Sequence, residues 1–250
     1  MTEGLSNEEI ACMRAAGRVA ALILKKLKKC VRPGVTTKYI EESFDNYLKE
    51  YPEMESAFKG FMGYPASLCV SINDEVIHGI PSEERTIKEG DLVSIDLGIK
   101  YKGLFVDTAY TYIAGRAQPP AKKLLKASLK ALYEGIKKAK PQATTGDVGS
   151  AVQSFIEKQG FAVVRKFVGH GIGRALHQHP EVPNFGTPGK GDELSDGMAI
   201  AIEPMVTAGN YDVEVAKDGW TAKTRDGSLS AHFEHTVAIT KKGPVILTRI

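Results

Sequence analysis

The feature that most constrains this chain is an internal repeat that occurs twice. Residues 32–37 (Arg-Pro-Gly-Val-Thr-Thr) resemble residues 140–145 (Lys-Pro-Gln-Ala-Thr-Thr), 108 positions later. Residues 90–96 (Gly-Asp-Leu-Val-Ser-Ile-Asp) resemble residues 197–203 (Gly-Met-Ala-Ile-Ala-Ile-Glu), 107 positions later. Strings this short can match by chance, but an acid ends both members of the second pair. A long period that occurs only twice predicts two pseudo-symmetric α/β halves rather than a solenoid.

Local signals place helices and then strands in each half. Residues 6–9 (Ser-Asn-Glu-Glu) form a capping box, which predicts the start of a helix. Lys102-Gly103 is a turn signal between two segments rich in β-branched and aromatic residues, and this pattern predicts a hairpin. The predicted elements are a helix from Ser6 that ends before Pro33-Gly34, a helix over about 38–49, strands over 91–99 and 104–113, helices from Pro119 to near Pro141 and after Thr144-Thr145, and mainly strands from 197 onward.

Four acidic residues occur where burial makes a charge unfavourable. Asp96 and Glu203 each follow an apolar string, and Asp107 and Glu234 lie in the strands predicted to come next. A carboxylate buried among apolar neighbours has to be paired, hydrogen-bonded or bound to a metal. In the predicted hairpin, Asp96 and Asp107 lie on one face, either opposite or diagonal to each other. A single strand acid is more often exposed at an edge, but four in two symmetric hairpins predict a shared cation.

A histidine in a glycine-rich loop completes the predicted ligand set. His170 lies in Gly-His-Gly-Ile-Gly, residues 169–173. Four carboxylates and one neutral imidazole carry a charge of about −4, which two divalent cations would cancel. Oxygen-rich, sulfur-poor ligand sets are typical of Mn, Fe(II), Co or Zn. Two such ions favour a shared hydroxide that is nucleophilic at neutral pH, so the sequence predicts hydrolysis of an amide or related bond.

Two further histidines are candidates for contacts with a substrate. His78 lies in a His-Gly-Ile-Pro turn after an apolar strand, and His177 follows the glycine-rich loop. Either residue alone is more often an ordinary surface or core histidine. We assign His179, in a polar segment, to that ordinary class. His235 follows Glu234 on a predicted strand, so alternation points it to the opposite face, in a supporting or structural role.

Six ordered strings extend over most of the chain. They are residues 77–81 (Ile-His-Gly-Ile-Pro), 94–96 (Ser-Ile-Asp), 106–108 (Val-Asp-Thr), 169–173 (Gly-His-Gly-Ile-Gly), 202–205 (Ile-Glu-Pro-Met) and 233–236 (Phe-Glu-His-Thr). Together they resemble the methionine aminopeptidases, in particular the short, bacterial-like type I form. The resemblance implies an α+β pita-bread fold, with two pseudo-symmetric αββ halves around a central antiparallel sheet. Residues 1–250 would form a single catalytic domain, with pseudo-repeats at about 6–115 and 119–250.

The resemblance also implies how a pair of ions would be held. The five metal ligands would be Asp96, Asp107, His170, Glu203 and Glu234. Asp107 and Glu234 would bridge the ions, and Asp96 would bind one ion through both carboxylate oxygens. His170 and Glu203 would belong to the other ion.

Roles in catalysis and substrate binding follow from the same resemblance. Glu203 would be the general base that hands on the proton of the water. His177 would donate a hydrogen bond to the scissile carbonyl and to the developing oxyanion, and His78 would orient the peptide from the amide side. The pocket for the first side chain would be lined by Phe58, Phe61, Tyr64, Cys69, Leu176 and Trp220. Aromatic and thiol walls suit an unbranched thioether.

The expected function is therefore removal of the initiator methionine from nascent proteins and peptides, with two divalent ions (Co, Mn, Fe or Zn) as cofactors. One alternative is a pita-bread peptidase that cleaves next to proline, but such enzymes usually carry a large extra domain before the equivalent of His78. A second alternative is a non-catalytic pita-bread binding module. Loss of ligands marks such modules, and all five ligand positions are filled here.

Composition limits the location and the partners of the protein. The net charge is +3, and the lysine-rich stretches alternate with leucine at helical spacing, which is typical of a solvated helix face. This pattern predicts no sequence-specific nucleic-acid binding and leaves open a transient ribosome contact. The three cysteines form no Cys-x-x-Cys motif, and no apolar run approaches the roughly 18–20 residues of a membrane span. We expect a cytoplasmic monomer without membrane contact, whose partners are N-terminal peptide substrates.

Overall fold

The computed structural model describes residues 4–250 of the chain. The helices are α1 Asn7–Leu27, α2 Thr37–Leu48, α3 Pro119–Lys138 and α4 Thr145–Lys158, with 3₁₀ turns at Lys28–Cys30 and Phe61–Gly63. The strands are β1 Met54–Ser56, β2 Cys69–Ile72, β3 Glu75–Ile77, β4 Leu92–Tyr101, β5 Leu104–Ile113, β6 Ala162–Val163, β7 Gly169–Gly171, β8 Gln178–Val182, β9 Ala199–Ile202, β10 Met205–Thr207, β11 Val213–Val215, β12 Ala222–Thr224, β13 Ser230–His232, β14 His235–Thr240 and β15 Gly243–Ile246. No helix within residues 4–250 has the length and apolar character required to cross a membrane.

The helices begin where the sequence places their caps. The Ser6 hydroxyl accepts a hydrogen bond from the Glu9 amide, and the Glu9 carboxylate accepts one from the Ser6 amide. This reciprocal box satisfies two amides that otherwise lack partners at a helix start. Thr36 caps α2 through the Tyr39 amide, so α2 begins one residue before the predicted position. Helix α3 begins with Pro119, whose fixed φ suits the first helical position.

All strand pairs are antiparallel. In the first half, β4 and β5 form a long hairpin around Lys102-Gly103, and β1 and β2 pair with the other edge of β4. The second half carries a five-stranded sheet of order β15-β14-β9-β7-β8. Two three-stranded sheets, β13-β10-β6 and β11-β12-β3, complete the structure, and the pairing of β12 with β3 links the two halves.

Two hydrophobic cores lie beneath the two helix pairs. Helix α1 packs on β4 and β5, and its buried Met13 and Ile23 share a core with Ile95 of β4. Helix α3 packs on α4, and Leu124 and Val152 share a second core with strands of the second half. Burial of this apolar surface is the main contribution to stability. The expected α+β architecture of two helix-covered halves is confirmed.

The seam between the halves is made by the backbone on either side of Glu234. The Glu234 amide donates to the Ala109 carbonyl (3.0 Å), and the Thr108 hydroxyl donates to the Glu234 carbonyl (2.9 Å). The Thr236 hydroxyl accepts from the Asp107 amide and donates to the Asp107 carbonyl, both at 2.8 Å. Glu234 was predicted inside a strand, but it lies between β13 and β14. The strand is interrupted because the chain changes partners there, from β10 to β9, and pairs with β5 in between.

Candidate metal centre and substrate pocket

The two acids of the first hairpin lie diagonally across it. Asp96 is paired with Ala109, and Asp107 is paired with Gly98, two residues further along. This register places both carboxylates on one face of the hairpin. Both side chains are buried, as are those of Glu203 and Glu234.

Two overlapping groups of ligand atoms lie within 4.8 Å of one another. One group is Asp96, Asp107 and Glu234, and the other is His170, Glu203 and Glu234. Glu234 therefore contributes to both groups. A further group joins Asp107 and His170 to His177. The structure thus brings together the five side chains that the sequence predicted as ligands, from positions up to 138 residues apart.

The donor set fits divalent cations. Within residues 4–250, Asp96 Oδ1 and Glu234 Oε1 are fully buried oxygen atoms with no hydrogen-bond partner. A buried carboxylate oxygen without a donor is strongly unfavourable, and a cation satisfies it. Ligand bonds of about 2.0–2.2 Å place two atoms on one ion up to about 4.4 Å apart, and the atoms of each group lie within 4.8 Å of one another.

Burial raises the pKa of all four carboxyl groups, and the charges of neighbouring carboxylates raise the pKa of Asp96, Glu203 and Glu234 further. For Asp96, burial acts first and the nearby Asp107 charge second, and the pKa lies well above its ordinary value. Burial raises the pKa of Asp107 to about 7. The pKa values of Glu203 and Glu234 are also well above the ordinary value, through burial and then the charge of Asp107. Four acids this close hold protons unless cations neutralise them.

His170 is oriented to present a free lone pair to the acid cluster. Its Nδ1 lies 3.0 Å from the Gly171 carbonyl oxygen, which can only accept, so Nδ1 carries the proton. Its Nε2 lies 3.6 Å from Glu203 Oε1. Burial, with a contribution from the neighbouring His177, lowers the pKa of His170 to about 3. The contact with Glu203 is therefore no ion pair, and a neutral imidazole is the form that binds metals.

A cavity of about 560 Å³ opens above this cluster. Every residue assigned to substrate binding lines it: His78, His177, Phe58, Phe61, Tyr64, Cys69, Leu176 and Trp220. The Tyr64 and Trp220 rings meet edge to face at 5.1 Å, as do Phe61 and His177. Such contacts fix the walls of a mainly apolar pocket whose polar groups converge at the metal cluster.

The His78-Gly79 turn is conformationally constrained. His78 has a φ of 60°, a region that non-glycine residues rarely adopt and that is concentrated at functional sites. At Gly79, a Cβ atom would lie only 2.3 Å from the Val70 carbonyl oxygen, so glycine is required there. The Tyr64 hydroxyl donates to the Gly79 carbonyl at 3.1 Å. The turn holds the His78 ring in the cavity, with its pKa lowered to about 4 by burial and by His177.

A glycine within β4 makes room for one pocket wall. A Cβ atom on Gly98 would lie 2.6 Å from the Phe58 ring, which therefore packs directly on the strand backbone beside Asp107. Glycine within a strand marks such a close approach, and this signal was available in the sequence.

Sequence reasoning did not assign several residues of the site. The cavity is also lined by Met62, Phe167, Gln178, His179 and Glu181. His179 lies there as an exposed side chain, 3.1 Å from Asp192 Oδ1. His232 is fully buried beside Glu203, with its Nε2 3.7 Å from Glu203 Oε2. Its position two residues before Glu234 is the sequence signal for this placement, because residues two apart on a strand share a face.

The other histidine of this segment lies away from the site. His235 Nδ1 is 2.9 Å from the Thr248 hydroxyl, and its ring is near that of Tyr133. These contacts place it among structural neighbours rather than in the cavity.

Comparison with known proteins agrees with this geometry. The model of metallopeptidase family M24 matches residues 11–241. The chain is 45% identical to methionine aminopeptidase 1 of Bacillus subtilis over 97% of both chains, and 47% identical to methionine aminopeptidase of Aquifex aeolicus over 98% of both. The crystal structure of methionine aminopeptidase from Thermotoga maritima superposes with a TM-score of 0.98, at 45% identity and full coverage of both chains.

More distant structures share the fold. The Xaa-Pro dipeptidase of Bacillus anthracis has a TM-score of 0.80 at 21% identity, and the match covers 99% of this chain and 62% of that one. These neighbours confirm the expected pita-bread fold. With a family match over nearly its whole length and close relatives in that family, the chain belongs to metallopeptidase family M24.

Proposed function

We propose that this M24 peptidase removes the N-terminal methionine from peptides and nascent proteins by metal-dependent hydrolysis. One observation carries the proposal. The five side chains that we propose as ligands lie together and, with His78 and His177, line one cavity whose walls are mainly apolar. A pocket that ends at the cluster suits a substrate whose first residue is enclosed while its amide bond lies at the ions. The 41–47% identity to methionine aminopeptidases over nearly the whole chain supports the same activity.

Two divalent ions would be held by the two groups of ligand atoms. Asp96 would serve one ion and His170 and Glu203 the other, with Asp107 and Glu234 between them. The four carboxylates supply the negative charge that two such ions require, and Co, Mn, Fe or Zn suits this donor set. When bound, the ions act as Lewis acids that make a water molecule nucleophilic near neutral pH.

The chain's own residues would bind and orient the substrate and transfer a proton. Glu203, a member of the cluster that also lines the cavity, would accept the proton of the attacking water and pass it to the leaving amine. His78, which also lines the cavity, would orient the scissile amide.

His177 would stabilise the oxyanion. Its ring lies 4.2 Å from that of His170, and partial desolvation in the cavity wall lowers its pKa, so it would be a neutral donor. We expect the His177→Ala variant to lower kcat by roughly 10²- to 10³-fold, because the hydrogen bond strengthens as negative charge develops. Steady-state kinetics on a methionyl peptide measures this effect. A change confined to KM would instead assign His177 to uniform substrate binding.

Trp220 would pack against the methionine side chain. We expect Trp220→Ala to lower kcat/KM for methionyl peptides by about tenfold or more, since losing contacts worth one methylene costs 10- to 200-fold in such pockets. For peptides that begin with alanine, kcat/KM should fall less, because the alanine side chain is too short to reach Trp220. Rates with matched peptides measure the ratio, and equal losses for both peptides would show that Trp220 does not select the side chain.

The rival activity is cleavage next to proline. Incubation with Met-Gly-Met-type and Xaa-Pro peptides in Mn²⁺ or Co²⁺ separates the two activities. We expect metal-dependent release of methionine from the first class. Release only from Xaa-Pro peptides would favour the proline peptidase, and no release from either would favour a non-catalytic module. The low identity to the Xaa-Pro enzymes, 21% against 45% for methionine aminopeptidases, supports the main proposal.

The location and assembly of the protein extend the same proposal. The three cysteines are free thiols, as suits a reducing cytoplasm. Removal of initiator methionine is a step in protein maturation, so a transient ribosome contact by a monomer suits this activity. The weak positive charge of +3 supports such a contact only slightly.

A further inference from the structure

His232 occupies a fixed place behind the metal cluster. It ends β13 and is paired with Met205 of β10, two residues after Glu203. Thr111 of β5, in the first half, holds the backbone of His232. The His232 amide donates to the Thr111 hydroxyl (2.9 Å), and that hydroxyl donates to the His232 carbonyl (2.7 Å). The ring is fully buried and is not among the residues that line the cavity. It cannot touch a substrate there.

Both ring nitrogens of His232 lack hydrogen-bond partners within residues 4–250. Burying an imidazole without partners opposes folding, and an apolar side chain would avoid that penalty. An unsatisfied polar group in a buried position calls for a functional explanation. The neighbourhood offers one, because the carboxylate of Glu203 is close.

The Glu203 carboxylate lies between two imidazoles. Its Oε1 is 3.6 Å from His170 Nε2, and its Oε2 is 3.7 Å from His232 Nε2. The second distance exceeds an N–H···O hydrogen bond by about 0.5–1 Å. Hydrogen bonds in active sites are often long without substrate and shorten in the reactive complex. The Glu203 carbonyl is already held by the Asn184 side chain at 2.9 Å, so only its carboxylate needs orienting.

We propose that His232 is a positioning residue, which donates from Nε2 to Glu203 Oε2 in the loaded enzyme and thereby fixes the carboxylate so that Oε1 faces His170. The inference rests on the proposed function, in which Glu203 is both a ligand and the base. It assigns His232 no contact with the substrate. Orienting partners behind metal ligands typically change metal affinity or activity by about 10- to 100-fold.

The test replaces the His232 ring with an apolar side chain of similar size, which removes the N–H donor. We expect His232→Leu, at saturating Mn²⁺, to lower kcat on a methionyl peptide by about 10- to 100-fold with KM within about twofold. The Tm of the chelator-treated variant should equal or exceed that of wild type, because an unsatisfied polar group has been replaced by an apolar one. His232→Gln, which keeps an N–H donor, should recover most of the lost kcat.

A second readout does not depend on turnover. Calorimetric titration of Mn²⁺ into chelator-treated protein should show affinity about tenfold or more weaker for His232→Leu, and near wild type for His232→Gln. The matched control is His235→Leu, which loses a part-buried ring and its contact with the Thr248 hydroxyl. It should lower Tm but leave kcat and Mn²⁺ affinity within about threefold of wild type.

Three outcomes would overturn the proposal: wild-type kcat and Mn²⁺ affinity in His232→Leu, no recovery in His232→Gln, or equal losses in His235→Leu. If wild type itself released no methionine, the proposed function would fail. The Mn²⁺ titrations would still decide whether His232 orients Glu203.

Discussion

The Glu203→Gln variant is expected to lose about 10²- to 10⁴-fold in kcat while it still binds metal. An amide has the same shape as the carboxylate and keeps one oxygen as a ligand, but it cannot accept the proton of the attacking water. The proton transfer belongs to the chemical step rather than to substrate binding. The loss should therefore appear in kcat. Steady-state kinetics at saturating Mn²⁺, with calorimetry on the chelator-treated protein, measures both quantities.

Glu41→Gln is the matched control for this experiment. Glu41 is also a buried glutamate, but it accepts from the Ser67 amide and pairs with Lys38 instead of a metal cluster. Glutamine keeps the acceptor for Ser67, so activity should stay within about threefold of wild type. Unchanged turnover in Glu203→Gln would remove Glu203 from the role of base. A complete loss of metal binding would leave that role untested by kinetics and show that the ligand charge dominates.

Removal of the metal should make the stability of the protein fall as pH rises above neutrality. The four acids have raised pKa values in the folded state, so the metal-free fold holds protons that the unfolded chain has released. Their stabilising contribution is complete below about pH 4, the unfolded pKa, and is lost as pH rises through the folded values, that of Asp107 being about 7. Buried histidines with lowered pKa give the opposite slope, but only below about pH 7, where the unfolded chain still binds their protons.

Thermal unfolding between pH 7 and 9, with chelator and with Mn²⁺, measures the contribution of the acids to stability without that of the histidines. A difference of one bound proton is about 1.4 kcal/mol per pH unit, and 1 kcal/mol shifts Tm by about 2–4 °C at this size. We expect the Tm of the metal-free protein to fall by about 3 °C or more per pH unit. The metal-loaded protein should show a smaller slope, because cations replace the protons. Asp96→Asn should reduce the metal-free slope, and identical slopes with and without metal would contradict the assignment of the cluster.

The sequence was sufficient to predict the architecture and to single out the acids. A repeat of short strings revealed two halves, and the two-residue period of a strand placed Asp96 and Asp107 on one face. The register showed which of two arrangements occurs, since Asp107 lies opposite Gly98. Apolar neighbours along the chain predicted burial for Asp96 and Glu203, and both are buried.

The parts that sequence reasoning missed depend on contacts between distant segments. Periodicity says which face of a strand a residue occupies but not what lies opposite that face. Glu234 leaves its strand because it pairs with β5 of the other half, and the role inferred for His232 depends on the Glu203 carboxylate 3.7 Å away. The Phe58 ring reaches the pocket only because Gly98 leaves the strand backbone bare. None of these partners is close in sequence.

The hydrogen bonds that join Asp107 to Thr236 and Ala109 to Glu234 have a consequence for how this enzyme can fail. Two carboxylates proposed to be shared by the ions sit on opposite sides of one seam, so their separation is set by how tightly the two lobes are locked together. A substitution that removes one of these hydrogen bonds would alter the chemistry before it melted the protein. Inactive but well-folded variants are therefore expected at seam residues that bind no metal themselves, such as Thr236, and change on one side of the seam is tolerated only with matching change on the other.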